Sequence, residues 1–133
     1  MVRHFLEVDD LTPAELATVL DMASHPATDL VLARRGVALL GERGLSYDTW
    51  HYHHQNADFA ALARALPGTT LVLDHFGTPL GVGPYAGQRE AIFRQWQHDV
   101  ADIARCPNVV AKLGGMAMPD NGYGWDRRSR PAS

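Results

Sequence analysis

The stretch from 70 to 77, Thr70-Leu71-Val72-Leu73-Asp74-His75-Phe76-Gly77, constrains this chain more than any other: a β-prone apolar run halts at an acid, an imidazole and a glycine. A strand apolar on both faces is expected in a parallel sheet covered by helices on both sides, and α/β proteins gather their sites at the carboxyl ends of such strands. Asp74 and His75 are therefore expected at a strand's carboxyl end, where any chemistry should lie.

The rest of the pattern alternates helix and strand. Thr12-Pro13-Ala14-Glu15 is a capping box with proline at the first helical position, and Leu16, Val19, Leu20 and Ala23 follow at helical spacing. After the breaker Ser24-His25-Pro26 comes a second helical face, Leu30, Ala33, Val37 and Leu40, ended by Gly41 and Gly44. Leu45 to Tyr52 is the first strand candidate. Asn56 is a plausible cap for a helix carrying Phe59, Leu62, Ala63 and Leu66, closed by Pro67-Gly68 before the run at 70. Residues 76 to 87, rich in glycine and proline, should loop. Ile92, Phe93, Trp96, Val100, Ile103 and Ala104 then mark a long helix, and Val109 to Leu113 a third strand. Short connectors between alternating strands and helices imply right-handed parallel crossovers. The expected fold is α/β, about three parallel strands with flanking helices, which could supply only part of a (β/α)8 TIM barrel, since a full barrel of eight strands needs roughly 250 residues and this chain has 133.

Composition narrows the function classes. With 46% hydrophobic and 20% charged residues the chain is ordinary globular material. A net charge of -3 with scattered Lys and Arg offers no basic stripe, so nucleic acid is not an expected partner. No apolar stretch has the length of a membrane span, and the acidic amino terminus does not read as a signal peptide. A single Cys106 precludes an intramolecular disulfide, so a cytoplasmic protein acting on a small molecule is the expectation.

Histidine dominates the chemical inventory. His51, His53 and His54 lie in Trp50-His51-Tyr52-His53-His54-Gln55, and His75 follows Asp74. On a strand His51 and His53 would share a face and His54 would point away. Imidazole is the commonest metal ligand and a proton carrier near neutral pH. These residues read as a hydrolytic site in which His53 and His75 orient a carbonyl or a metal-bound water, and Asp74 holds the imidazole or acts as base. Histidines at a strand edge also simply bond the following loop, and Asp74 suits a turn. Lys112 reads as a rim charge, Trp50, Trp96 and Tyr85 as packing, and the glycines match no nucleotide-binding fingerprint.

Three segments in order, Gly44 to Gln55, Leu71-Val72-Leu73-Asp74-His75-Phe76-Gly77-Thr78-Pro79-Leu80-Gly81, and Asn108-Val109-Val110-Ala111-Lys112-Leu113-Gly114-Gly115, resemble the middle of the amidohydrolase-2 family of metal-dependent TIM-barrel hydrolases, over about residues 29 to 125. The resemblance implies a (β/α)8 TIM barrel, here a partial one, and hydrolysis of lactones, C–N or related bonds. It puts His75 in the active site, with His53, and as a further candidate His51, contributed by the preceding histidine-bearing strand. Together with the reading of Asp74 above, the candidate catalytic residues are His75, Asp74 and His53, and the candidate ligands of a divalent metal such as zinc are His75, His53 and His51. Some members of that family hydrolyse lactones without metal, so both routes stay open. The family's opening His-x-His strand and its last, aspartate-bearing strand have no counterpart here, which suggests a truncated chain. Thr78 stands where the family's dicarboxylate lactonases carry arginine. Residues 3 to 23 are instead similar to the first helix of ornithine carbamoyltransferases, but that family's Ser-x-Thr-Arg-Thr motif is nowhere in the chain.

The expected organisation is an N-terminal helical extension over 1–28, the partial barrel over 29–118 and a flexible tail over 119–133. The alternative to an enzyme is a non-catalytic barrel fragment whose open sheet edges are covered by a partner or by a second copy in a homo-oligomer.

Overall fold

A computed structural model describes residues 12, 14, 17 and 30–124. Most of the capping-box helix, and residues 125–133 of the tail, lie outside the described residues.

Helix α1 (Leu30–Glu42) ends as the glycine spacing predicts, with one difference. Gly44 takes φ +68, its N–H donates to Gly41 O, and Leu45 N–H donates to Leu40 O, the paired bonds of a left-handed glycine cap. Gly41 is inside the helix rather than at its end. A Cβ there would lie 2.2 Å from Thr69 Oγ1, so this glycine is a point of close approach, where Thr69 also donates to Val37 O at 3.2 Å.

The three strands β1 (Tyr47–Thr49), β2 (Leu71–Leu73) and β3 (Val109–Ala111) are shorter than their apolar runs. They pair in parallel in the order β1-β2-β3, with Tyr47, Leu71 and Val109 in register. Between them run α2 (Asn56–Ala65) and α3 (Arg89–Ile103), as expected of parallel crossovers. Phe59, Ala60 and Ala63 of α2 and Ile103 of α3 pack with Leu71, Leu73 and Cys106. Full burial of each leucine contributes about 1.5–3 kcal/mol. Of the face expected for α3, Ile92 and Ile103 are buried as read, whereas Phe93 is half exposed and Asp99, outside that face, is turned inward.

Only one face of the sheet carries this core. Side chains alternate along a strand, so Asp48, Val72 and Val110, mutually in register, share the opposite face. There Val110 is 53% exposed, and Lys112 Nζ lies 2.6 Å from Asp48 Oδ2 and 3.0 Å from Asp74 Oδ1. Helices on both sides of the sheet, the expectation from the run at 70, are thus not what forms among the described residues. A helix-covered face backed by one that holds the buried Val72, the half-exposed Val110 and the Lys112 ion pairs is compatible with a barrel wall, whose inner face is lined by side chains from the strands.

Asn108 welds the layers together. Its Nδ2 points at Ala63 O, Leu66 O and Thr69 O at 3.0 to 3.1 Å, joining the end of α2 and the entry to β2 to the start of β3. Residues 119 to 124, grouped with the tail from sequence, begin with a 3-10 turn (Pro119–Asn121) packed on the 76–87 loop. Gly81 N–H donates to Asp120 O, and the buried Asn121 donates to Gly115 O at 2.9 Å.

Candidate active site

All the candidate residues lie just beyond the carboxyl ends of the strands. After β1 the chain leaves the sheet at once, so His51 and His53 are not strand residues and strand alternation does not relate them. His53 opens a 3-10 turn (His53–Gln55) closed by Gln55 N–H to Tyr52 O, with Gln55 Oε1 accepting Tyr52 N–H in return.

His51 is held at both ring nitrogens. Nδ1 is 3.1 Å from Thr49 Oγ1 and Nε2 is 2.9 Å from Asn56 Oδ1, the ring lying against Phe59. Asn56, expected to cap α2, is its first residue instead, fully buried, because its side chain is spent on His51. Burial holds the His51 pKa below the ordinary imidazole value despite the Asn56 bond and the nearby Asp74 charge. A ring with both nitrogens committed has no lone pair left for a metal.

His53 is buried, and its Nδ1 accepts Leu80 N–H at 3.3 Å. A neutral imidazole accepting at one nitrogen carries its proton on the other, so His53 presents Nε2–H as a donor. Burial, then the neighbouring His54, lowers its pKa and keeps it neutral. Its ring stands edge-on to Tyr85 at 5.1 Å, while His54 is exposed and stacked on Tyr52 and Tyr85.

His75 sits in the most distorted backbone among the described residues. His75, Phe76, Gly77 and Thr78 all have positive φ, at 51, 54, 67 and 31°. Each non-glycine residue there costs on the order of 1–2 kcal/mol. The turn is clamped from several sides: Thr78 N–H donates to His75 O, His53 N–H donates to Thr78 O, and Trp96 Nε1–H donates to Phe76 O at 2.6 Å. Gly77 is packed so closely on Asn56 that a Cβ would lie 2.1 Å from its Oδ1. Non-glycine residues held in this region cluster at functional sites.

Nδ1 of His75 is buried and has no hydrogen-bond partner. Asp74 therefore does not hold this nitrogen of the imidazole, as the sequence led us to expect; its carboxylate faces Lys112 instead. The Lys112 pKa is raised by Asp48 first and by Asp74 second. The rings of His53 and His75 have different neighbours, and what joins them is the backbone of Thr78, bonded to both.

Three contributors were not legible from sequence. Gly115, at φ +76, lies against His75, where a Cβ would come within 2.3 Å of the ring. Thr78 is fully buried with Oγ1 accepting Trp50 Nε1–H at 3.2 Å, and Trp50, expected as packing, is 60% exposed beside His75. Each stands in one of the three segments singled out from the sequence, but none of these contacts could be read there.

A metal held by His51, His53 and His75 together does not fit this arrangement. The first has no free nitrogen, and the second offers a proton. Among the described residues no group of three or more His, Cys, Asp or Glu side chains is placed to hold an ion.

Parallel strands with outer helices, and a histidine at a strained strand end, have the layout of part of a (β/α) barrel wall. Comparison with known proteins gives the family: a model for amidohydrolases matches residues 6–132, and the chain belongs to that family. A crystal structure of an amidohydrolase from Burkholderia multivorans with bound HEPES is 30% identical at a TM-score of 0.55, over 62% of this chain and 28% of that one. A second crystal form with bound zinc, 23% identical, has the same fold at a TM-score of 0.57 over 79% and 41%.

An uncharacterized protein, y4mH, of Sinorhizobium fredii is 33% identical over 96 residues, 72% of this chain and 29% of its own length. An ornithine carbamoyltransferase of Acidothermus cellulolyticus is 38% identical over 88 residues, 62% of this chain and 26% of that protein, more than residues 3 to 23 alone supply. The chain thus spans between about a quarter and two fifths of the relatives it matches. Among the described residues no helix is long and apolar enough to cross a membrane.

Proposed function

We propose that the strand-end cluster belongs to a hydrolase of lactones or of C–N bonds, with His75 and His53 in the leading roles. The observation that carries this reading is the buried, unpartnered Nδ1 of His75, held at a strand's carboxyl end in backbone that costs energy to maintain. A buried polar atom without a partner calls for an explanation, and use in a reaction is one.

In this reading the Nε2–H of His53 donates to the substrate carbonyl oxygen and stabilises the negative charge that forms on it. His75 takes a proton from water as the water oxygen bonds to the carbonyl carbon. The C–O or C–N bond then breaks, and the same proton passes to the leaving oxygen or nitrogen. Asp74 is a weaker candidate for base than its sequence position suggests, because its Oδ1 is already engaged by the Lys112 ammonium 3.0 Å away. The zinc in the relative's crystal is that protein's. Here the committed nitrogens of His51 and His53 leave His75 as the one member of the expected ligand set with a buried free nitrogen.

Release of acid from dihydrocoumarin by the purified chain, followed at constant pH, tests the reading. His75→Ala should abolish turnover and His53→Ala should lower it by about 100-fold. Equal turnover in His75→Ala and the parent would refute it. Metal content measured on both proteins separates the routes: stoichiometric zinc lost with His75 supports a metal site, and turnover without metal supports the side-chain route.

A further inference from the structure

The Trp50 indole is the largest exposed group in the cluster and also one of the most constrained. An exposed tryptophan normally samples several rotamers, yet this one is hooked by Nε1–H to Thr78 Oγ1 and set edge-on to His75 at 6.0 Å and to Tyr52 at 6.4 Å. The hook itself is costly. Thr78 is β-branched, fully buried and at φ 31°, where glycine would sit with less strain. Its hydroxyl spends that strain on aiming a ring at solvent. On the charge side, Lys112 is shared by Asp48 and Asp74, so these three groups together are net negative. His51 and His53, both with lowered pKa values, add no positive charge near neutral pH.

We propose that Trp50 is a stacking platform for an uncharged, flat-ringed ligand, positioned beside His75 by the Thr78 hydroxyl. This deepens the hydrolase reading by naming a substrate class, and rests on it only for the statement that the ligand is turned over. A pinned indole face accepts an aromatic or conjugated ring without ordering any side chain on binding, which lowers the entropic cost. A carboxylate-bearing ligand would instead meet two acids and a cation already in use.

Calorimetric titration of the intact chain with coumarin, coumarin-3-carboxylate and δ-valerolactone tests this, using Trp50→Ala, Trp50→Phe and Thr78→Val. Coumarin should bind more tightly than the other two. Trp50→Ala should weaken it by about threefold to tenfold, Trp50→Phe less, and Thr78→Val by a few-fold through loss of aim alone. Unchanged coumarin affinity in Trp50→Ala, equal affinity for coumarin-3-carboxylate, or no coumarin binding at all would overturn the proposal. If Trp50→Ala does not fold, Trp50→Phe and Thr78→Val decide, and parental affinity in both overturns it. Dihydrocoumarin turnover without Trp50-dependent binding defeats this inference alone. Trp50-dependent binding without turnover upholds the inference and defeats the hydrolase reading.

Discussion

Gly115→Ala is the substitution whose effect on the His75 turn can be worked out most completely. The added methyl would lie 2.3 Å from His75 Cγ and Nδ1 and 2.5 Å from its Cβ. Rotating the ring cannot clear a contact made by the ring's own Cβ, so the backbone at His75 must retreat by about 1 Å to reach ordinary contact distance. The backbone at Gly115 adds about 1–2 kcal/mol for placing alanine at φ +76, and the overpacked contact about 1–3 kcal/mol. The expected destabilisation is about 2–5 kcal/mol, a large share of the roughly 5–15 kcal/mol of a typical domain. Two other glycines separate these contributions. Gly83, at φ +56 with nothing within 4 Å of its Cβ position, isolates the backbone part, and Gly114, equally open and without positive φ, should be near neutral as alanine. Urea unfolding of the three variants, with the His75 ring resonances followed by NMR, makes the comparison. If Gly115→Ala costs no more than Gly83→Ala and leaves the His75 resonances in place, the close approach of the two residues is wrong.

Other outcomes follow from the same contacts. Asn108→Ala removes two amide protons shared among three backbone carbonyls, and should cost about 1–3 kcal/mol in urea unfolding at unchanged m; a loss below about 0.5 kcal/mol would mean that water replaces the clamp. Leu71→Ala, at a fully buried position, should cost about 2–5 kcal/mol, and a smaller loss would place the core elsewhere. Burial lowers the pKa values of His51 and His53 below 6.5 in the folded chain. As pH falls through 6.5 the unfolded chain takes up protons that the folded one does not, so stability should fall from pH 7.5 toward pH 5 until the folded rings also protonate. A urea midpoint that rises on acidification over that range would contradict the buried neutral rings, and replacing His51 by glutamine should flatten the decline.

What local chemistry can set, the sequence displayed. The periodicity of Phe59 and Ala63, the glycine stop at Gly44 and the apolar runs at 71–73 and 109–111 specify helices and strands through contacts only a few residues apart. Their alternation settled the parallel order, and the Asp74-His75 pair marked the strand end where the candidate site lies. Strand length escaped this reading, because β1 continues only as far as β2 can pair with it, and that placed His51 and His53 in a turn. The partners of each site residue escaped it too. Asn56 is 5 positions from the His51 it fixes, but Trp50 is 28 positions from its Thr78 hook, Lys112 is 64 from Asp48, and the Gly115 backbone reaches His75 across the sheet. Which nitrogen is engaged, which acid is neutralised and which indole is left facing water depend on distances that exist only once the strands are side by side. Periodicity along a chain encodes burial, whereas the hydrogen-bond partners of a polar atom are chosen by the packing of segments far apart in that chain.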